Sequence, residues 1–436
     1  MERYSEYKDS GVQWLGEIPG HWECVPFKSI FSLVKGLSIT KENLVDEGVN
    51  VISYGQIHSK VNKYTYIVPD MYRFVSNGYV ETHPQAIVNK EDFIFADTSE
   101  DINGSGNFVR VNNDDLTFAG YHTIIGRNKN PQYGPYLSYL LQSNRWKTQI
   151  WIKVHGVKLY SITRGILHST KLIVPPFSEQ QSIVSYLDSK CEKIDKMIEG
   201  KEKQIALLQE LKQRTIADAV TRGLNPDVKM KATNISWLEE IPEHWITRRL
   251  GSLFTGDVET NKDFEFKRAF KFNYGLLVAK NEVGDPEEYH DVYVKYSKVR
   301  SGDILVNGLN LNYDFVSQRV ACAPSEGIIT SAYVVCRPRE GVNYEYYTFL
   351  LKNMDNMKLF HGMGTGIRLT LSYKEIKKQI VPVPPLSEQR TIVAYINERT
   401  EKIDTLTSKL QQEIESIKEY KQRLISDVVT GQIKVC

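Results

Sequence analysis

Between Asp115 and Glu179 the sequence has no acidic residue, although Asp and Glu together number 53 in the chain. That interval holds Arg127, Lys129, Arg145, Lys147, Lys153, Lys158, Arg164 and Lys171. A net charge of only +2 therefore hides a locally cationic stretch. Cysteine is scarce. Cys24, Cys191, Cys322, Cys336 and Cys436 form no CxxC pair, so neither a zinc site nor a disulfide framework is expected. No apolar run approaches membrane-spanning length. The opening MERYSEYKDS is charged and polar, unlike a secretory signal, so the expected compartment is the cytoplasm, with no membrane partner. Signatures of catalysis are missing as well: no GxxxxGK followed by Ser or Thr, no GxGxxG after a strand, no HExxH and no GxSxG. Nor is there an Asn/Asp-Pro-Pro-aromatic run of the kind that holds a flipped base. No catalytic or metal-binding residue is nominated.

What the chain does have is a long repeat. PPFSEQQSIVSYLDSKCEKID begins at Pro175 and PPLSEQRTIVAYINERTEKID at Pro384, and matching positions stay 209 residues apart as far as Thr221 and Thr430. Both copies read as long helices. The double proline ends what precedes, Ser178 or Ser387 is placed to cap, and Gln181 completes a capping box in the first copy. Gly223 and Gly431 fall where a helix should stop.

Apolar residues within the helices recur every seven. Ile396, Ile403, Leu410, Ile417 and Leu424 form one series, with Ile414 and Val428 in the alternate position. Leu187, Ile194 and Leu208, with Ile198 and Ile205, keep that register in the first copy. A seam of this period seeks a partner helix and supercoils left-handedly, and the partner at hand is the other copy.

The remaining chain is organised around the repeat. VQWLGEIPGHW (Val12–Trp22) and ISWLEEIPEHW (Ile235–Trp245) look like anchors, with His21 and His244 read as structural. Strand-like segments follow at Val51–Tyr54, Tyr64–Val68 and Asp92–Phe95, then at Asp303–Val306 and Tyr333–Cys336. YLSYLLQS at Tyr136 and YYTFLLKN at Tyr346 suit helices. Residues 33–130 and 256–343 scarcely align, which suggests one scaffold built twice with two different recognition surfaces. The expected fold is α+β: two globular mixed α/β domains (1–177 and 223–386) separated by a pair of long antiparallel coiled-coil helices (178–222 and 387–436), a pseudo-two-fold internal repeat. The 33 residues from Leu187 to Ala219 alone span about 50 Å of helix.

The chemistry most compatible with this sequence is nucleic-acid binding. In the acid-free stretch, Arg145, Lys147, Lys153, Lys158 and Arg164 alternate with Tyr and Trp, and Gly156 permits close approach to a phosphate backbone. The second unit offers Lys358, Arg368 and Lys374 with Gly364 and Gly366. Two other readings compete: a DNA-modifying enzyme with an unfamiliar site, or a coiled-coil protein used only for assembly.

The paired anchors, the paired VPPFSEQ/VPPLSEQ helix starts and the KQRTIADAV/KQRLISDVV helix ends resemble the specificity (S) subunit of type I restriction-modification systems over nearly the whole chain. The resemblance implies two target recognition domains on a helical spacer and no catalytic site in this chain. It implies double-stranded DNA as a partner, read as an asymmetric bipartite target. It also implies scaffolding of two methyltransferase (M) subunits that use S-adenosylmethionine, and of restriction (R) subunits that use ATP and Mg2+. Charged helix positions such as Glu192, Lys193, Asp195, Lys196, Glu401, Lys402 and Asp404 become candidates for docking those subunits.

Overall fold

The computed structural model describes residues 2–156, 159–280, 286–316, 318–364 and 369–435. The chain forms two compact units, Met1–Lys201 with Gln412–Cys436, and Glu202–Gln411. Both are mixed α/β. The helices used below are α1 (Gly134–Gln142), α2 (Asn144–Trp151), α3 (Arg164–His168), α4 (Phe177–Arg222), α5 (Tyr344–Asn356), α6 (Tyr373–Ile376) and α7 (Leu386–Val429). The two long helices, α4 and α7, each contribute one half to either unit.

In the first unit an antiparallel sheet has the order Phe108–Arg110, Phe93–Ala96, Thr123–Asn128, Phe31–Lys35. A second sheet of five strands contains the parallel pair Val49–Ile52 and Thr117–Ala119. The run FIFA is apolar throughout because it is buried on both faces. Phe93 and Phe95 pack with Phe27, Phe31 and Trp146, whereas Ile94 and Ala96 turn to Ile52, Ile57 and Val109. The second unit repeats this device on a smaller sheet, ordered Phe254–Thr255, Val334–Pro338, Ile304–Val306, Val320–Cys322. There Ile304 and Val306 face one cluster and Leu305 the other.

The dissimilar middles share more than their sequences suggest. Asp92, buried ahead of its strand, accepts from the Asn89 backbone N–H and pairs with Arg127 on the neighbouring strand. Asp303 accepts from the Arg300 N–H and pairs with Arg337 at 2.9 Å. Each unit thus encloses an aspartate whose charge is met by an arginine and by backbone amide donation, with Asp92 accepting from the Asn128 N–H as well, the condition under which a buried carboxylate is tolerated.

Helix placement follows from the repeat. Tyr136 of α1 is fully buried and donates to the carbonyls of Ile173 and Val429. Tyr346 of α5, also buried, donates to the carbonyl of Val220. The long helices begin one residue earlier than the serines suggested, at Phe177 and Leu386, so Ser178 and Ser387 lie inside the first turn and the Ser178/Gln181 box does not form. Pro176 O accepts from the Glu179 N–H, a first-turn donor, and from the Gln180 N–H, while Pro385 O accepts the first i→i−4 bond of its helix from Gln389. Tyr64–Val68 is not a strand. Thr65 adopts φ 60°, which breaks the extension and leaves one bridge, Tyr66 to Arg110.

Along α4 and α7 the residues of the seven-residue series lie inward. Leu187, Ile194, Ile396, Ile403, Ile414 and Leu424 are buried, and Ile198, Ile205, Leu208, Leu410 and Ile417 half-buried. Within the first unit Lys421 reaches Asp195 (2.7 and 2.8 Å) and Lys201 reaches Glu413. Within the second, Lys212 reaches Asp404 with 2.7 Å to both oxygens. As one partner's number rises the other's falls, so the helices run antiparallel in each unit. These contacts correct one expectation: Asp195 and Asp404 are not free outer charges but cross-helix partners. Glu192 pairs with Lys196, and Lys402 with Glu398, along their own helices.

The anchors close on the helix starts. Trp22, fully buried, donates through Nε1 to Glu179 (3.0 Å), which also receives His21 (2.5 Å) and the Tyr4 hydroxyl (3.0 Å). Trp245 and His244 meet Glu388 in the same way, at 3.0 and 2.8 Å. The glycine ending the other long helix presses onto each cluster. Gly431 (φ 71°) lies against Pro19 and Trp22, and Gly223 (φ 76°) against Glu388 and Trp245, where any Cβ would collide or strain. Burial alone would raise the Glu179 carboxyl, but hydrogen bonds from His21, Trp22 and Tyr4 outweigh it and hold the group below its ordinary value of 4.5. A depressed carboxyl stabilises the fold above its unfolded value and ceases to as the pH falls through its folded value. Glu179→Gln should therefore cost about 1 kcal/mol at neutral pH. Thermal melts across the acid range should show the gap to wild type closing below about pH 4.5. A gap constant down to full acid unfolding would contradict this assignment.

Candidate nucleic-acid interface

In the first unit the turn that follows Phe93–Ala96 is packed beneath the basic stretch. Gly106 (φ 94°) sits 2.9 Å, measured from a notional Cβ, from Ile150 Cδ1. Trp151 Nε1 donates to Ser105 O, and Lys147 Nζ donates to Asn107 Oδ1 at 2.6 Å. His58 links the same turn through Thr98 O (2.9 Å) and the Asn107 amide (3.2 Å). Burial of the Lys147 ammonium pushes it down to about 8, against a smaller opposing pull from Asp101.

The basic residues of this stretch separate by what they touch. Arg145 donates to Leu15 O (3.1 Å), and Lys153 to the Ser169 hydroxyl (2.7 Å). Arg164 is exposed at the first position of α3, which Thr163 caps. It borders a shallow hollow with Lys35 and His122. A Cβ added at Gly156 would stand 2.0 Å from Leu159 O. Lys158 lies outside the described residues.

The second unit builds its surface differently. Arg319 has no exposed surface, and residues 307–314 wrap around it. Its guanidinium donates to the carbonyls of Asn307 (3.0 Å), Leu309 (2.7 Å) and Asp314 (2.6 Å), and its backbone N–H to Asp355 (2.6 Å). The segment presents Tyr313 (81% exposed), and just beyond it Val316 is 91% exposed and Phe315 stacks on His361 at 4.6 Å. The hairpin tip Tyr274-Gly275 abuts Gln318 and exposes Tyr274 by 87%. Lys358 takes a left-handed turn (φ 60°) just before His361. Gly364 approaches Leu311, where a Cβ would lie 2.9 Å from Cδ1. Lys374 is exposed on α6, which Ser372 caps. Gly366 and Arg368 lie outside the described residues.

So within each unit a turn from the variable middle is docked on the basic stretch of the shared half. His58 and Asn107 in the first unit, and Arg319, Tyr313 and Phe315 in the second, were not singled out by sequence. The Gly- and Asn-rich segments Asn103–Asn107 and Asn307–Asn312 are the signal that the sequence offers for these turns.

A profile of the type I restriction modification DNA specificity domain matches residues 19–207 and again 242–416. The MjaX type I restriction enzyme specificity subunit of Methanocaldococcus jannaschii is 24% identical over 435 residues, covering 97% of this chain and 96% of the relative. A chain from a solved type I R-M system, described for its complex assembly and conformational transition, matches with a TM-score of 0.67 at 17% identity over 95% of this chain and 99% of its own. The HsdS subunit of Thermoanaerobacter tengcongensis matches with a TM-score of 0.50 at 17% identity, over 95% and 98%. At these identities the two solved structures establish likeness of fold.

Proposed function

The chain belongs to the type I restriction-modification DNA specificity family, and from that premise we propose that each unit reads one half of an asymmetric, bipartite duplex target. DNA recognition is the business of the family. The observation that carries the finer reading is the contrast between the units. They share the Asp–Arg pair, the buried tyrosine and the Trp–His–Glu anchor, yet one offers a polar turn around Asn107 and the other an aromatic tip around Tyr313. Equal scaffolds with unlike tips call for unlike half-sites.

Chemistry on the DNA falls to companion subunits of the system: two methyltransferase subunits using S-adenosylmethionine, and restriction subunits using ATP and Mg2+. The long helices have surface to spare for them. Met197 and Tyr420 in the first unit, and Leu207, Leu211 and Leu406 in the second, are half or more exposed. Exposed apolar side chains on helices suit a protein partner. No helix among the described residues is long and apolar enough to cross a membrane, and a cytoplasmic complex is the corresponding proposal.

Sequencing modified bases in a host with and without this gene tests the reading. One two-part motif with unlike halves should appear only with the gene; a palindrome, or no change, would overturn it. Adding one heptad at matching positions of α4 and α7 extends each helix by about 10.5 Å, close to 3 base pairs. The unread gap should lengthen, or binding should fail through lost helical phase. An unchanged gap at unchanged affinity would contradict a spacer role. A chain used only for assembly would lack the steep fall of log K with log salt that phosphate contacts impose.

A further inference from the structure

Beside the turn around Asn107 the first unit contains a polar hollow of 270 Å3. Lys63, Lys147, His58, Asn62, Asn107 and Asn144 line it, with further amides and hydroxyls, and no Asp or Glu does. Two ammonium groups thus meet on a concave surface without a carboxylate, in a chain with 55 Lys and Arg against 53 Asp and Glu. Lys147 is half-buried, and its hydrogen bond goes to a neutral amide oxygen rather than to an anion. The nearest influential carboxylate, Asp101, is turned to the loop backbone, accepting from the Gly104 N–H at 2.6 Å. Among the described residues Lys63 has no ion pair. Asn62 spends its NH2 group on the carbonyls of Ile57 and Phe108, which leaves its buried Oδ1 for a bridging water.

We propose that this hollow is a phosphate site. Burying an ammonium without a counter-charge is costly, and a mobile oxyanion that supplies the charge is bound in return. Lys147 and Lys63 provide the charge. Asn144, with its side chain exposed at the first position of α2, stands at the rim. The phosphate belongs either to a DNA backbone, in which case the site deepens the recognition reading and rests on it, or to a free phosphate. The depressed ammonium of Lys147 agrees, since a bound anion would restore its proton affinity.

Asn144→Asp separates the arms. An acidic residue in the first turn of a helix favours that helix, so the fold is retained, while the rim gains the negative charge that the lining lacks. Lys147→Met is the second variant. The full-length chain is used, with duplex affinity read by anisotropy across a salt series and melting temperature read with and without inorganic phosphate. If the ligand is a backbone phosphate, both variants weaken duplex binding about tenfold and lower the salt slope by about one. If it is free phosphate, inorganic phosphate raises the melting temperature of wild type but of neither variant, and duplex affinity is unmoved. Variants that bind duplex as wild type does, with no phosphate-dependent shift in wild type, overturn the proposal. Wild type that shows no salt-dependent duplex binding would undo the recognition reading instead, and the phosphate melts would still decide the hollow.

Discussion

Arg319→Ala is expected to destabilise the second unit by about 3–5 kcal/mol, near the upper end for a single substitution. The guanidinium is fully enclosed, and three loop carbonyls accept from it, whereas Asp355 accepts from the backbone N–H that alanine keeps. Removing it strands those acceptors in a space closed to bulk water, where each lost partner costs about 1–3 kcal/mol before relaxation. Lysine is a poor substitute, because a point charge cannot serve carbonyls that a planar fork reaches together. Arg319→Lys should recover well under half of the loss. Urea unfolding followed through a probe in each unit would show the transition of the second unit moving and that of the first staying. The functional consequence is selective: the half-site read by the second unit loses discrimination, because Tyr313 and Val316 no longer have a fixed base. Loss spread equally over both half-sites would mean that the loop is not the reader.

The second large effect concerns the cross-helix lysines. Lys421 and Lys212 occupy equivalent repeat positions and meet the equivalent aspartates Asp195 and Asp404, but in different surroundings. The Lys421 and Asp195 side chains are 18% and 34% exposed, whereas those of Lys212 and Asp404 are 33% and 61% exposed. Lys421→Met should cost about 2 kcal/mol, since it leaves a partly buried carboxylate unpaired. Lys212→Met should cost less than about 1 kcal/mol, the range of solvated pairs. A double-mutant cycle with Asp195→Leu should return much of the first loss, because an apolar pair at the same place is tolerated. The penalty then appears as weakened preference for one helix register, the best-attested role of a polar residue in such a seam. Equal costs for the two lysines would show that burial is not what separates them.

These contrasts also explain what could be read in advance. The seven-residue apolar series was legible because it is local and occurs twice. The double-sided burial of Phe93–Ala96 was foreshadowed by four consecutive apolar residues. Helix starts were misjudged by one residue because the residue before each helix is the second proline, whose carbonyl accepts the first helical bond, from Gln180 in one copy and Gln389 in the other. The Glu179 cluster spans 157 residues between Trp22 and Glu179, and no local pattern carries such a contact. Its only trace was the recurrence of His-Trp and Ser-Glu-Gln in both copies. On the candidate surface, composition pointed to a basic stretch but could not tell Arg164, which faces solvent, from Arg145, which is tied to Leu15 O. Cationic side chains serve packing and ligands alike, and only their neighbours distinguish the two.

Among the described residues the cysteines are reduced, and one in each unit is deeply placed: Cys191 on α4 and Cys336 in the strand Val334–Pro338. Burial pushes the first up to about 11 and the second up to about 12, so neither is a nucleophile while its surroundings stay closed. Each is therefore an internal clock. Pulsed alkylation with mass-spectrometric readout would time the breathing of either half of the polypeptide separately, without introducing a label, and would reveal whether DNA quiets one half before the other.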